Sequence, residues 1–375
     1  MESELAHSRK RVAHLTSVHA RFDNRIFLKQ CGSLAKAGLH VTLIVADGAG
    51  DAVIDNINII DVGRPKNRWQ RAFSIVKRVV ECAKRQNFDL YQFHDPEFLP
   101  YAKTLIKTGA PVIYDSHEDF PKQILSKPYL NWIARQTLSQ IAHQTERLVC
   151  PKLSAILCAT IGVAKKFKKI NPSTYELLNF PRIEEFDHPE VLGTKPLEIA
   201  FIGGITKIRG VKELVDALPH VPNVRLNLAG SISEPNFAEE LRTANGWGQV
   251  NELGFLNRNE VVDVLGRSRA GVVTFLPYPN HIEAQPNKMF EYMAAELPVI
   301  ASDFPLWREI IESNECGMLV DPAQPKQIAA AIQWIIDHPQ EAAQMGRNGR
   351  RAIEQKYNWS VEEEKLIRIY QGLLK

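Results

Sequence analysis

A short apolar run followed by a stretch of helical periodicity recurs along this chain, and the rhythm begins twice, at Val12-Ala-His-Leu-Thr16 and at Leu197-Glu-Ile-Ala-Phe-Ile-Gly203. The runs do not alternate apolar with polar residues, so both faces of each strand are expected to be covered, as in parallel sheets flanked by helices. In the first half strands are expected at Val12–Thr16, Val41–Ala46, Ile57–Val62, Leu90–Phe93, Val112–Tyr114, Arg147–Cys150 and Tyr175–Leu178. Helices are expected at 26–38, closed by Gly38, and at 67–86, 97–108, 129–144 and 161–168. In the second half strands are expected at 197–203, 224–229, 249–254, 271–276, 297–302 and 317–320, with long charged helices from Pro339 onward. The polar stretch Pro181–Lys195 separates the halves. A chain of 375 residues also exceeds one ordinary core. The expected architecture is α/β, with two Rossmann-like, doubly wound domains at 1–185 and 186–359 facing a central ligand cleft.

Apolar residues make up 45% of the chain and charged residues 24%, an ordinary globular balance. The first ten residues are charged and hold no apolar segment, unlike a secretory leader. No uncharged apolar run approaches the ~18 residues of a membrane span. Cys31, Cys82, Cys150, Cys158 and Cys316 are scattered without a close pair, which suits reduced thiols and a cytoplasmic setting. The net charge of +3 hides an asymmetry, since residues 1–185 carry 27 Lys+Arg against 18 Asp+Glu. A basic first half suits an anionic surface. Residues 64–85 place Trp69, Phe73, Val76 and Val80 at helical spacing among Arg68, Arg71, Lys77, Arg78, Lys84 and Arg85, which reads equally as a lipid-facing helix or as a core helix with a solvated basic face. No nucleic-acid reader motif interleaves these charges, so no nucleic-acid partner is expected.

The densest group of chemically useful residues is Glu283-Ala-Gln-Pro-Asn-Lys-Met-Phe-Glu291. Pro286 has no N–H and a preset φ, so it suits the start of a helix continued by Met289, Phe290, Tyr292 and Met293. Glu291 then lies inside the helix and Glu283 in the loop facing its N-terminus. The N–H groups of a helix start attract phosphate. Two acceptor carboxylates beside an anion site suit a ligand with both phosphate and hydroxyls, such as a nucleotide-sugar. Phe201-Ile-Gly-Gly-Ile-Thr-Lys-Ile-Arg-Gly210 is a second strand–loop–helix unit, where glycines admit phosphate to the backbone and Arg209 can pair with it. No Asp-x-Asp triplet occurs, which argues against a metal-bridged diphosphate, and His94-Asp95 with His117-Glu118 fits no standard zinc spacing.

These segments resemble the retaining family 4 glycosyltransferases of the GT-B fold. The resemblance rests on Glu283, Glu291, Pro298 and Val299, on Phe201-Ile-Gly-Gly204, on Arg209-Gly210 before a helix, and on Asp115-Ser-His117-Glu118. It covers most of the chain, and residues 285–295 and 302–309 are most similar to bacterial enzymes of surface-polysaccharide assembly. It implies a metal-independent enzyme that moves a sugar from a nucleotide-sugar, UDP-linked by expectation, to a surface glycan or its lipid-linked precursor. It also implies that Glu291 holds the ribose hydroxyls and Glu283 faces the donor sugar. Lys288 and Arg209 lie near the phosphates in the same picture, with Gly203, Gly204, Pro286 and Asn287 around them and Gly230, Ser231, Gly254 and Phe255 bordering the base. His117 stands near the reacting centre as a hydrogen-bond donor or polarising group.

The chain departs from the family in two places. The arginine that follows the first loop glycine is replaced by Gly204, which leaves Lys207 or Lys288 to supply that charge. The loop Ser17–Arg25 lacks the usual Gly-Gly pair, so Asp23, Arg25 or backbone is left to make acceptor or phosphate contacts, with His94, Asp95 and Glu118 on the acceptor side. The final helix, 360–375, is expected to cross back to the first domain, as is common in this fold. A sugar-nucleotide 2-epimerase of the same architecture and a catalytically inert scaffold are the alternatives; the first needs no acceptor, the second no chemistry.

Overall fold

The computed structural model describes residues 9–125, 127, 130–187, 196–232 and 234–375. They form two compact units, one containing the chain up to Asn179 together with Ser360–Lys375, the other Phe180–Trp359. Residues 188–195 of the expected linker and residue 129 of the expected fourth helix lie outside the described residues.

The first unit is built on β1 (Arg11–Leu15), β2 (His40–Val45), β3 (Ala52–Ile54), β4 (Ile57–Asp61), β5 (Leu90–Phe93), β6 (Val112–Ser116), β7 (Ala155–Cys158) and β8 (Thr174–Glu176). Their order is β3-β4-β2-β1-β5-β6-β7-β8, parallel throughout except for β3 against β4. The second unit holds β9 (Glu198–Ile202), β10 (Arg225–Ala229), β11 (Val250–Gly254), β12 (Ala270–Val273), β13 (Val299–Ser302) and β14 (Gly317–Val320), in the order β11-β10-β9-β12-β13-β14. All of these pairs are parallel. The uninterrupted apolar runs follow from this: Ile199, Phe201, Leu226, Leu228, Val272 and Ile300 are covered by helices and make one core.

Each sheet reverses its winding once, between β1 and β5 and between β9 and β12. Open α/β sheets bind ligands at the carboxyl ends of strands at such a reversal. In the second unit the reversal is physically split. The register of β9 with β12 stops at Gly271↔Ala200. Beyond it the Tyr292 hydroxyl stands between the strands, accepting from the Ile202 N–H (3.0 Å) and donating to the Val272 carbonyl (3.4 Å). Gly271 is required by the same ring, because a Cβ there would fall inside the Tyr292 side chain.

One expected strand is wrong. Arg147–Val149 is the last turn of the helix Trp132–Val149, and the strand lies further on at Ala155–Cys158. Four residues cannot show which period they follow. The distinction is in the burial: Leu148 is 67% exposed, as on a helix rim, whereas all of Ala155–Cys158 is buried between β6 and β8.

The basic helix is continuous from Arg68 to Gln86, with a π-helical turn at Arg71–Ile75, but its apolar residues serve two ends. Val76, Val79, Val80 and Ala83 are core, each valine contributing roughly 1.5–3 kcal/mol by burial. Trp69 and Phe73 are 76% and 64% exposed and stack on each other at 6.1 Å. The helix Trp359–Leu373 joins the first unit from Ser360 on, where the buried Glu362 carboxylate accepts the Leu178 N–H (2.9 Å). Among the described residues no helix is long and apolar enough to cross a membrane.

Candidate functional site

The split between β9 and β12 is lined by the Phe201–Gly210 loop and the helix Asn287–Ala294. Pro286 caps that helix in extended conformation and Asn287 begins it, exposed to solvent, so the expected helix start is where the proline placed it. One residue on, Lys288 turns inward. It is 7% exposed, its Nζ lies 3.5 Å from the centre of the Phe201 ring, and no described residue accepts a hydrogen bond from it. Burial drives its pKa well below the usual lysine value, Arg209 adds to that, and Glu291 opposes it. Gly203 leaves the way to this amine open, since a Cβ there would sit 3.5 Å from Nζ. Arg209 lies beside it, donating to the Gly204 carbonyl (3.0 Å) with its guanidinium 5.5 Å from the Phe275 ring. A side chain at position 204 would press on that guanidinium at 2.8 Å. Gly204 and Arg209 therefore fit as a pair. Lys207, the other substitute for the missing loop arginine, is 61% exposed and turned to Glu240 (3.5 Å), so of the two lysines it is Lys288 that stands at the split.

Glu291 lies inside the helix as expected, but its carboxylate is already engaged. Arg258 Nη1 donates to Oε1 at 2.7 Å while Arg258 Nε donates to Glu185 (2.6 Å). Burial works against the Arg258 charge, yet the two carboxylates raise its pKa above the usual value. Such a clamp, made through Oε1, fixes the Glu291 rotamer. Arg258 and Glu185 were not anticipated. Glu283 stands exposed at the end of the Pro279–Ile282 turn. Its loop is tied down by the buried Trp307, whose indole N–H donates to the Ala284 carbonyl (2.6 Å).

The strand-end loops of the second unit close on the same edge of the sheet. Gly230, at φ 146°, approaches the Gly203 carbonyl more closely than any side chain allows, and its N–H donates to the Gly254 carbonyl (2.7 Å). Ser231 is exposed, and Phe255, after Gly254, is 84% exposed. An aromatic face presented to solvent beside strand-end glycines can stack on a base.

In the first unit His117 follows β6 and is 22% exposed. Its Nε2 meets Asp115 Oδ2 at 3.2 Å, and its ring packs on His19 with centroids 4.9 Å apart. With Nε2–H given to Asp115, the neutral ring presents a lone pair at Nδ1, and only the imidazolium donates there. The acceptor-side residues expected from the sequence separate into two sets. Glu118 is exposed, donated to by Gln123 (2.6 Å), and Asp23 caps the Asn24–Cys31 helix, taking the Arg25 and Ile26 N–H groups. Arg25, His94 and Asp95 are buried and cannot line an acceptor surface. Arg25 spends its guanidinium on Asp115 (2.6 and 3.0 Å) and the Leu177 carbonyl, and His94 Nδ1 meets Asp115 at 3.0 Å. Asp95 holds the loop after β1 by accepting from Ser17 N–H (2.6 Å), Val18 N–H (3.2 Å) and Thr16 Oγ1 (3.0 Å). His94, Asp115 and His117 stand close enough to suggest a metal centre. The contacts are instead hydrogen bonds to an oxygen that Arg25 and Gln30 also occupy, and a guanidinium there repels a cation.

Two family models match the chain, one described as glycosyl transferases group 1 over residues 182–352 and one as glycosyltransferase family 4 over residues 24–174. The D-rhamnosyltransferase WbpZ of Pseudomonas aeruginosa is 28% identical over 298 residues, covering 76% of this chain and 74% of that protein. The capsular polysaccharide biosynthesis glycosyltransferase CapM of Staphylococcus aureus is 27% identical over 187 residues, covering 47% and 46%. Among solved structures, sucrose-phosphate synthase of Thermosynechococcus elongatus superposes with a TM-score of 0.75 at 17% identity over 97% of this chain and 99% of the other. HepE of Anabaena, in complex with UDP-glucose, gives 0.73 at 17% identity over 97% and 100%. Two Rossmann-like units, a basic split at the second sheet's reversal and these two matches together make the chain a glycosyltransferase of GT-B fold that belongs to family 4.

Proposed function

We propose that this glycosyltransferase binds the diphosphate of a UDP-linked sugar at the split between β9 and β12 and transfers the sugar, with retention and without a metal, to a surface polysaccharide or its lipid-linked precursor. The observation that carries the reading is Lys288: a buried amine with no acceptor, reached past a glycine and flanked by Arg209, is an arrangement that an anion completes. As the sugar leaves, negative charge grows on the diphosphate, and two fixed cations with the Asn287 helix start lower that barrier. They supply the charge that a metal supplies elsewhere. Glu291, held by Arg258, accepts from the ribose hydroxyls through its remaining oxygen, and Glu283 faces the sugar. Gly230, Ser231, Gly254 and Phe255 border the base. His117 meets a sugar hydroxyl through Nδ1.

The UDP assignment is supported by HepE, solved with UDP-glucose, and the polysaccharide assignment by the names of WbpZ and CapM. A lipid-linked acceptor is further supported by the exposed Trp69–Phe73 stack beside the exposed basic residues Arg64, Lys66, Lys77 and Arg78. Calorimetric titration of the purified protein with UDP and with GDP, in chelator, tests the donor site. Tight binding of UDP is expected; binding of GDP alone moves the base, and binding of neither removes the donor assignment.

A further inference from the structure

A closed ring of buried side chains lies behind His117. It runs from Asp115 Oδ2 to His94 Nδ1 (3.0 Å), from His94 Nε2 to His14 Nδ1 (3.0 Å), and from His14 Nε2 to the Tyr370 hydroxyl (3.1 Å). It continues from Tyr370 to Gln92 Oε1 (2.7 Å), from Gln92 Nε2 to Gln30 Oε1 (2.6 Å), and from Gln30 Nε2 back to Asp115 Oδ2 (2.6 Å). All six residues are at most 2% exposed, and all belong to the first unit, with Tyr370 supplied by the C-terminal helix.

The direction of each link follows from its neighbour. Arg25 pairs twice with Asp115 and, against the pull of burial, keeps its pKa well below the usual value, so the carboxylate only accepts. Gln30 must turn its NH2 toward that carboxylate and its oxygen toward Gln92. Gln92 then gives its NH2 to Gln30 and its oxygen to Tyr370, which donates its one hydroxyl proton there. The phenol oxygen is left to accept from His14 Nε2–H. A neutral His14 protonated on Nε2 offers a lone pair at Nδ1, so the proton between the histidines sits on His94 Nε2. His94 must also give Nδ1–H to Asp115. Six links need six protons, whereas two amides, one hydroxyl and two neutral imidazoles supply five.

We propose that Tyr370, His14 and His94 are positioning residues for His117, acting through this ring, which closes only when the histidine pair holds one proton beyond two neutral imidazoles. Closed, the ring fixes the Asp115 oxygen that receives His117 Nε2–H, so Nδ1 is the nitrogen presented outward. Without the extra proton one link sets two lone pairs face to face and opens, and Asp115 and His117 lose their alignment. The groups facing His14 are His94, Asp115 and Tyr370, with Cys31 beside the phenol; those facing His94 are Asp115, His117 and His19. Burial holds both buried histidines below the usual imidazole range, the charge of His94 adding to this at His14 and those of His117 and His19 at His94, although Asp115 pulls both up; the extra proton is therefore taken up toward acid pH and departs as pH rises. Tyr370→Phe removes two links and one proton. Four links then remain and neutral side chains supply four protons, so the demand for the extra one disappears.

The role rests on His117 belonging to the reacting centre, but the ring can be read without donor or acceptor, so its failure is separate from that of the donor assignment. The experiment is imidazole 15N NMR of the full-length protein across the histidine pH range, wild type and Tyr370→Phe. In the wild type, His94 is expected to show both nitrogens protonated at the acidic end and to lose one as pH rises, while His117 stays the Nε2–H tautomer until then. Tyr370→Phe should lower the proton affinity of the pair at least about tenfold, roughly one pH unit, and keep His117 the Nε2–H tautomer across the range in which the wild type loses it. A wild-type His94 that stays singly protonated across the range overturns the proposal even if the variant fails to fold. So does a variant whose His94 loses its second proton at the same pH as the wild type.

Discussion

Replacing Lys288 by methionine should raise the stability of the free enzyme and weaken nucleotide binding, two effects of opposite sign. The side chain is nearly fully buried, its amine has no acceptor among the described residues, and Phe201 and Phe275 hold the space around it. An unsatisfied buried polar group costs about 1–3 kcal/mol, and methionine keeps nearly the same volume without the amine. In a unit of this size each kcal/mol moves the melting temperature by about 2–4 °C, upward for the variant. The proton balance gives a second signature. Lysine regains its ordinary pKa on unfolding, so the unfolded chain binds the extra proton and stability rises with pH from the depressed folded value toward about 10.4. The methionine variant lacks that slope. Bound diphosphate reverses the situation, because an ammonium is favoured against it. A charge-assisted contact is worth about 1.5–3 kcal/mol, so UDP affinity should fall by roughly 10- to 150-fold. Calorimetry in buffers of different ionisation enthalpy should show proton uptake on UDP binding to the wild type, and up to one proton less in the variant. Thermal unfolding without ligand completes the assay. A variant that binds UDP as well as the wild type, or that melts lower, refutes the assignment of Lys288 to the diphosphate.

The lipid-facing reading predicts that Trp69→Ser with Phe73→Ser leaves melting temperature and UDP affinity unchanged while flotation with phosphatidylglycerol-rich vesicles falls at least about tenfold; equal flotation of both proteins removes it. His19 should make the loop after β1 sensitive to pH. Burial lowers its pKa, but Asp23 (3.1 Å) and Asp95 (3.4 Å) raise it above 6.5 overall. A raised histidine contributes stability that is full below about 6.5 and lost as pH rises through its folded value. Amide exchange at Ser17, Val18 and His19, corrected for intrinsic rate, should therefore accelerate over that window in the wild type and stay flat in His19→Gln; a flat wild type rejects the coupling.

What could be read in the chain before folding depended on how local each feature is. The Glu283–Glu291 segment, the Pro286 helix start and the two sheets were legible because proline geometry and apolar runs act within a few residues. The isolation of Lys288 was not, since it is created by rings from β9 and from the segment that follows β12. Nor was the clamp on Glu291. Arg258 stands 33 residues away at the start of another helix, and nothing nearby separates it from a solvated arginine. Arg25 reads in the sequence as a charged residue of the first loop open to a ligand, yet it folds inward because Asp115, 90 residues on, is a buried carboxylate that needs it.

The buried ring did leave one local trace. His14 interrupts the apolar run Val12-Ala-His-Leu15, and Gln92 interrupts Leu90-Tyr-Gln-Phe93. A polar side chain within a strand covered on both faces must find a partner, since burying it unpaired costs more than an apolar residue there could ever cost. Two such interruptions at the third position of apolar runs in neighbouring core strands answer each other, and the register of β1 with β5 pairs His14 with Gln92. Tyr370 is what joins them, donating to Gln92 and accepting from His14. The return of the last helix to the first unit is therefore more than a way to cover apolar surface: without its phenol, two polar residues in the middle of the sheet would be left short of partners.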